Sequence, residues 1–170
     1  MRLYLIRHAI AVPPGTPGYT QDALRPLTEE GHAQARQVAE GLKRLDIPLD
    51  VILTSPYVRA AQTAEHLSRA FGSRMAVKQS DALRAEADPI ETSQALKTVA
   101  DQEHVACVGH EPHLSAWVAH LVSGRDGMRC LMKKGGVACI ELPRVPSPPG
   151  GGILRWLMTP KQLGLIGQTT

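Results

Sequence analysis

The chain has 170 residues, 43% apolar and 21% charged, with a net charge of +3. That composition suits one soluble globular domain. It offers no apolar run near the ~18 residues of a membrane span and no dense Lys/Arg block of the kind that tracks nucleic acid, so neither membrane nor nucleic acid is expected as a partner.

Aromatic residues are only 4%, which leaves Leu, Val, Ile and Ala to build the core. Cys107, Cys130 and Cys139 are odd in number and lack metal-ligand spacing, so they suit a reducing compartment better than a disulfide framework. No signal peptide precedes the first apolar segment, and a cytoplasmic location is expected.

In chain order, "RLYLI" (2–6) reads as a short buried strand. Residues 9–26 are rich in Pro and Gly and read as a loop. Thr28 suits an N-cap, Glu29 and Glu30 suit the positive end of a helix, and Ala35, Val38, Ala39, Leu42 and Leu45 keep helical spacing, which predicts an amphipathic helix over 28–45. "DVILT" (50–54) is a second strand, followed by Ser55 and Pro56 as N-cap and first residue of a helix that runs to Phe71. "MAVKQ" (75–79) is a third strand. Asp88 and Pro89 open a helix to about Ala100. "HVACVG" (104–109) is a fourth strand, and 112–122 is another helix. A loop carrying Gly124, Gly127, Gly135 and Gly136 leads to "VACIEL" (137–142) and "ILRWLM" (153–158), two strands that form a hairpin around the Pro/Gly turn 143–152, one of them antiparallel at an edge.

Strands alternating with helices predict a three-layer α/β/α fold: a mostly parallel central sheet with helices on both faces. Ligands of such sheets bind beyond the carboxyl ends of the strands. Arg7 and His8 follow the first strand, Ser55 and Arg59 the second, and Gly109 and His110 the fourth. Three separate pieces of chain therefore deliver two arginines and two histidines to one edge of the sheet. Guanidinium groups match phosphate oxygens with forked hydrogen bonds, and helix N-termini add backbone donors. Histidine is a competent nucleophile near neutral pH. Arginines can supply the positive charge, so no metal or other cofactor is expected.

These stretches carry a resemblance. "LIRHA" resembles the opening R-H-G signature of the histidine phosphatase superfamily, which includes the phosphoglycerate mutases; "TSPYVRAAQTAE" (54–65) resembles its S-P-x-x-R-A-x-Q-T block, and "VGHEPHLS" (108–115) its G-H-x-P block. The small size, "RPLTEEGHAQA" (25–35) and the late "PKQL" (160–163) are most similar to the SixA-type phosphohistidine phosphatases. The resemblance implies a phosphoglycerate mutase-like fold in a single domain over 1–170. It implies that His8 is a nucleophile that becomes transiently phosphorylated, and that Arg7, Arg59 and His110 bind the phosphoryl group. Arg25 matches a residue that helps line the SixA-type pocket. Ala9 stands where the family usually has Gly. Ala82 falls near the place of the family's carboxylate general acid, with Glu86 and Asp88 out of register and Glu111 also nearby.

The expected activity is hydrolysis of phosphohistidine on a protein partner such as a phosphorelay domain. The alternatives are a small-molecule phosphomonoesterase of the same superfamily and a non-catalytic phosphohistidine-binding module. The i, i+3 pair His110 and His113 could suggest a metal, but no third ligand has motif support. His113 reads more simply as structural, Ser55 as an N-cap, and Asp88 as the cap before Pro89.

Overall fold

The computed structural model describes residues 1–72, 75–124 and 128–168. Six strands form one sheet: β1 (Arg2–Arg7), β2 (Val51–Thr54), β3 (Ala76–Gln79), β4 (His104–Gly109), β5 (Val137–Glu141) and β6 (Ile153–Met158). Their order is β3-β2-β4-β1-β5-β6. The first four are mutually parallel, β5 runs antiparallel to β1, and β6 antiparallel to β5. The helices are α1 (Glu29–Arg44), α2 (Val58–Phe71), α3 (Pro89–Ala95), α4 (His113–Ser123) and α5 (Pro160–Gln168).

The two central strands are unbroken apolar runs because both of their faces are covered. Strand alternation sends Leu3 and Leu5 of β1 to one face, where they join Leu114, Trp117, Val118 and Leu121 of α4. Tyr4 and Ile6 face the other way, toward Val38, Ala39 and Leu42 of α1, Ala60, Ala64 and Leu67 of α2, and Leu163 of α5. The result is the expected three layers.

Several boundaries differ from the sequence reading. α2 begins at Val58, with Tyr57 at its N-cap and no side-chain cap. Ser55 and Pro56 are therefore not cap and first helical residue; the Ser55 side chain is drawn instead to His110. The helix over 88–100 is α3 followed by a 3-10 turn, Leu96–Val99. The hairpin β5–β6 forms, but its antiparallel strand β5 lies inside the sheet between β1 and β6. α5 has no counterpart in the sequence reading. Thr28 caps α1 by accepting from the Gly31 N–H at 3.0 Å, and Asp88 caps α3 through Ile90 N–H at 2.7 Å and Glu91 N–H at 3.3 Å. Of the glycines expected in the loop before β5, Gly127 lies outside the described residues.

Register fixes the functional edge. β1 and β4 are neighbours with Arg7 opposite Gly109. The chain stays paired for one residue more, the His8 N–H reaching Gly109 O at 3.0 Å, while Ser55 N–H reaches Val108 O at 2.9 Å. His8, His110 and Ser55 thus leave three adjacent parallel strands at one level.

Candidate active site

His8 is 7% exposed. Its Nδ1 lies 2.7 Å from its neighbour's carbonyl, Ala9 O. A carbonyl only accepts, so Nδ1 carries the proton and Nε2 keeps its lone pair. The other side of the ring agrees: Arg59 Nε–H donates to His8 Nε2 at 3.2 Å. Burial lowers the imidazole pKa to about 3; the Ala9 hydrogen bond opposes this, and Arg59, Arg7 and Lys134 add to it. His8 is therefore a neutral imidazole with a fixed tautomer and its free nitrogen turned toward a guanidinium.

Arg59 is 3% exposed, on the first turn of α2. Besides His8, it donates from Nη1 to Asp22 O at 2.7 Å and from Nη2 to Asp22 Oδ2 at 2.8 Å. Its Cζ lies 5.0 Å from the centre of the Tyr57 ring, within cation–π range. Asp22 opens a 3-10 turn, Asp22–Leu24, within the Pro/Gly-rich loop. Its Oδ1 also accepts from Arg25 Nε at 2.8 Å and from Arg25 Nη2. Arg25 Nη1 donates to Val12 O. Arg25 is thus nearly buried, sharing Asp22 with Arg59, and Asp22 and Val12 engage all three of its nitrogens. Burial pushes the Asp22 carboxyl pKa up, and the hydrogen bonds from Arg25 and Arg59 more than offset that, leaving it below the usual carboxylate value.

The His110 ring lies 5.0 Å from that of His8 and 4.8 Å from that of Tyr57, centre to centre. Its Nε2 is 2.8 Å from Ser55 Oγ, and that oxygen also accepts the Tyr57 N–H at 3.3 Å. If the Ser55 hydroxyl donates to Nε2, the only orphan is His110 Nδ1–H. The opposite assignment leaves both the hydroxyl proton and Nδ1 without partners. The first satisfies more buried groups and assigns the proton to Nδ1. Burial, with His8 and Arg59 adding to it, lowers the His110 pKa to about 2. Arg7 donates from Nη1 to Met132 O at 2.7 Å, and its Nε has no partner among the described residues. Two buried N–H donors near His8, Arg7 Nε and His110 Nδ1, therefore lack acceptors among the described residues. An oxyanion would provide them. Gly135, at φ +73°, turns the chain so that its N–H closes on the carbonyls of Arg7 and His8, holding segment 132–135 against the end of β1.

Arg7, His8, Arg59 and His110 are brought together, with Arg25 one step behind Asp22. The candidate acids Glu86, Asp88 and Glu111 each have a partner. Glu86 accepts from the Tyr57 hydroxyl at 3.2 Å and 3.3 Å, Asp88 caps α3, and Glu111 accepts from Ser115 at 2.6 Å. His113 Nε2 is 2.8 Å from Thr92 Oγ1, and the ring stacks on Trp117. Among the described residues, no group of three or more His, Cys, Asp or Glu is placed to hold a metal ion, and no helix is long and apolar enough to cross a membrane. Sequence reasoning missed Asp22 and Tyr57. Asp22 left one signal, its i, i+3 spacing to Arg25 in "DALR".

Comparison with known proteins places the chain in a family. Residues 3–89 match the family model of the histidine phosphatase superfamily (branch 1). An uncharacterised protein of Picosynechococcus sp. is 35% identical over 138 residues, covering 81% of this chain and 82% of its own. The phosphohistidine phosphatase SixA of Escherichia coli is 25% identical over 165 residues, 96% of each chain. A solved structure of the protein histidine phosphatase SixA complexed with tungstate superposes with a TM-score of 0.82 at 25% identity, covering 96% of this chain and 99% of that one. The α-ribazole phosphatase from Shigella flexneri shares the fold, with a TM-score of 0.73 at 19% identity over 94% of this chain and 97% of its own.

Proposed function

The chain belongs to the histidine phosphatase superfamily (branch 1), and from that premise we propose that it hydrolyses phosphohistidine on a protein partner, without a metal, through a phosphorylated His8. The observation that carries the reading is the His8 ring: Nδ1–H is tied to Ala9 O, which leaves Nε2 unprotonated, its lone pair accepting only the exchangeable Arg59 Nε–H. Nε2 attacks phosphorus while the substrate's N–P bond breaks. The developing positive charge on His8 is spread toward Ala9 O through Nδ1–H. Arg59 Nε–H, freed from Nε2 by the new bond, turns to a phosphoryl oxygen, and Arg7 Nε–H and His110 Nδ1–H take others. Water then attacks the phosphohistidine, the Nε2–P bond breaks, and inorganic phosphate leaves with His8 neutral again.

Substrate class follows from the leaving group. A phosphohistidine protonated by solvent on its distal nitrogen expels a neutral imidazole. An alkyl phosphate expels an alkoxide, and general-acid help to such a group is typically worth ~10²–10⁴-fold. Ala82 stands near the place of the family's acid. One observation favours the small-molecule reading: Glu86 reaches the Tyr57 hydroxyl, and the Tyr57 ring lies against His110, so Glu86 is the carboxyl to test on an ester substrate. The test compares kcat/KM on a phosphohistidine protein, an aryl phosphate and an alkyl phosphate. The proposal expects that order of preference. An alkyl ester cleaved as fast as phosphohistidine, with the activity lost in Glu86→Gln, would replace it with the small-molecule reading. Tight phosphohistidine binding with no turnover would leave a binding module.

A further inference from the structure

Every fork edge of Arg25, and the Nη side of Arg59, is occupied by the chain itself, mostly by one residue. Asp22 takes Arg59 Nη2 on Oδ2 and Arg59 Nη1 on its carbonyl, and Arg25 Nε and Nη2 on Oδ1. The Asp22 side chain is 54% exposed, whereas that of Arg59 is 4% exposed. A phosphoryl group centred on His8 Nε2 would meet the adjoining Nε/Nη2 edge of Arg59. Nη2 is the nitrogen that Asp22 holds. Arg25 has no edge left for a tetrahedral anion while Asp22 and Val12 hold it. Charge points the same way as geometry: a carboxylate and a phosphoryl dianion on one buried guanidinium repel each other. Asp22 also has somewhere to go. It sits on a short 3-10 turn and, with Arg25, lines one side of a groove of about 340 Å³ whose other side is residues 14–20.

We propose that Asp22 is a resident counter-ion of the phosphoryl site: it neutralises Arg59 and Arg25 when the site is empty, gives way to the phosphoryl group, and returns to displace inorganic phosphate. This rests on the reading of the site as a phosphatase centre. Asp22 is a positioning residue here, since it touches the arginines and not the reacting atoms. The alternative is a fixed buttress that aims Arg59 at His8. The two roles differ in sign. Removing a competitor tightens phosphate binding; removing a buttress loosens it.

The test is Asp22→Asn, whose amide keeps the shape and loses the charge. Inorganic phosphate is the probe, as a competitive inhibitor of aryl phosphate hydrolysis and by calorimetry. The Ki for phosphate should fall by at least about tenfold relative to the wild type, and KM for the aryl phosphate should fall with it. Asp22→Glu, which restores the carboxylate, should return Ki toward the wild-type value. A Ki that is unchanged or raised in a folded Asp22→Asn protein overturns the proposal, as does an Asp22→Glu protein that behaves like Asp22→Asn. Should the Asp22→Asn protein not fold, hydrogen exchange on the wild-type protein decides: saturating phosphate should speed exchange of the Asp22–Leu24 turn if Asp22 is released, and unchanged or slowed exchange refutes release. Failure of the underlying reading looks different, because wild-type protein that neither hydrolyses the aryl phosphate nor binds phosphate has no phosphatase centre for Asp22 to regulate.

Discussion

Replacing Arg59 with lysine keeps the charge and removes the planar fork. In the wild type, three guanidinium nitrogens make three bonds: Nε to His8 Nε2 at 3.2 Å, Nη1 to Asp22 O at 2.7 Å and Nη2 to Asp22 Oδ2 at 2.8 Å. A single ammonium at the end of a straight stem cannot reach both His8 and Asp22 with that geometry. The bond lost on the His8 side is the one that turns to the phosphoryl oxygen, and hydrogen bonds to charged groups are worth ~1.5–3 kcal/mol. The Arg59→Lys substitution should therefore lower kcat/KM by about 10–100-fold, ~1.4–2.7 kcal/mol of transition-state stabilisation. Loss of one Asp22 bond and of the contact with the Tyr57 ring should cost about 2 kcal/mol of stability and about 4–8 °C in Tm. The assay is steady-state hydrolysis of an aryl phosphate beside a thermal melt. A variant whose Tm drops while kcat/KM stays within about twofold of wild type would refute the reasoning, because the fork would then be structural and not part of phosphoryl binding.

His8→Ala should abolish turnover with little change in Tm, and acid-labile, base-stable phosphate should be trapped on the wild-type protein but not on the variant; a fully active His8→Ala protein would remove the nucleophile assignment. Hydrolysis should survive exhaustive chelation, and a loss on EDTA treatment reversed by a divalent ion would count against a purely arginine-based site. Stability should fall on acidification below about pH 6.5. His8, His110 and His113 are held neutral with pKa lowered to about 3, about 2 and about 4, burial being the main cause each time, so the unfolded chain takes up protons that the folded chain refuses. Each then contributes up to ~1.4 kcal/mol per pH unit as pH falls from about 6.5 toward its folded value. Denaturant melts between pH 7 and 5 measure the slope, and a His113→Asn variant should flatten it. A wild-type slope near zero would mean that these rings titrate normally.

Much of the edge that carries the site was legible because its signals are local. Apolar runs such as "LYLI" and "VACV" mark strands buried on both faces, and it is the convergence of Arg and His from three such segments on one edge, not any one of them, that marks the site. The parallel direction of β1 and β4 follows from alternation of strands and helices, whereas their pairing and register come only from the structure. What was not legible depends on long-range packing. Asp22 meets Arg59 across 37 residues of chain, and a loop aspartate gives no periodic pattern to read. The Ser55–Pro56 pair looks like a cap and first turn, but Ser55 is fully buried and its hydroxyl has a histidine to satisfy, so the helix starts later. α5 carries Pro160, Gly164 and Gly167, a poor intrinsic helix. It forms because Leu163 is wholly buried against α1, where Gly41 permits an approach so close that a Cβ there would collide with Leu163 O.

The site's charge distribution ties these features to substrate choice. Around His8 the fixed charges are cationic, and the one carboxylate inside the cluster among the described residues, Asp22, is held ionised by two guanidiniums and serves them. A carboxyl group bound to two cations gives up its proton readily and holds none to donate, so Asp22 cannot act as the missing acid. The position near which the family's acid is expected is Ala82, inside the 3-10 turn Asp81–Leu83, whose carbonyl accepts from Thr92 Oγ1 at 2.7 Å. Apart from Glu86, which the Tyr57 hydroxyl engages and which the Glu86→Gln variant tests, its neighbours are held elsewhere. Asp81 pairs with Arg84 at 2.8 Å, Asp88 Oδ1 is turned to the Ile90 and Glu91 N–H groups of α3, and Glu111 is bonded to Ser115. An arrangement that binds a phosphoryl group strongly and offers little proton to the leaving atom favours substrates whose leaving group is already stable when it departs. Under the proposed function phosphohistidine meets that requirement, because its imidazole can be protonated by solvent before the bond breaks and leaves as a neutral ring.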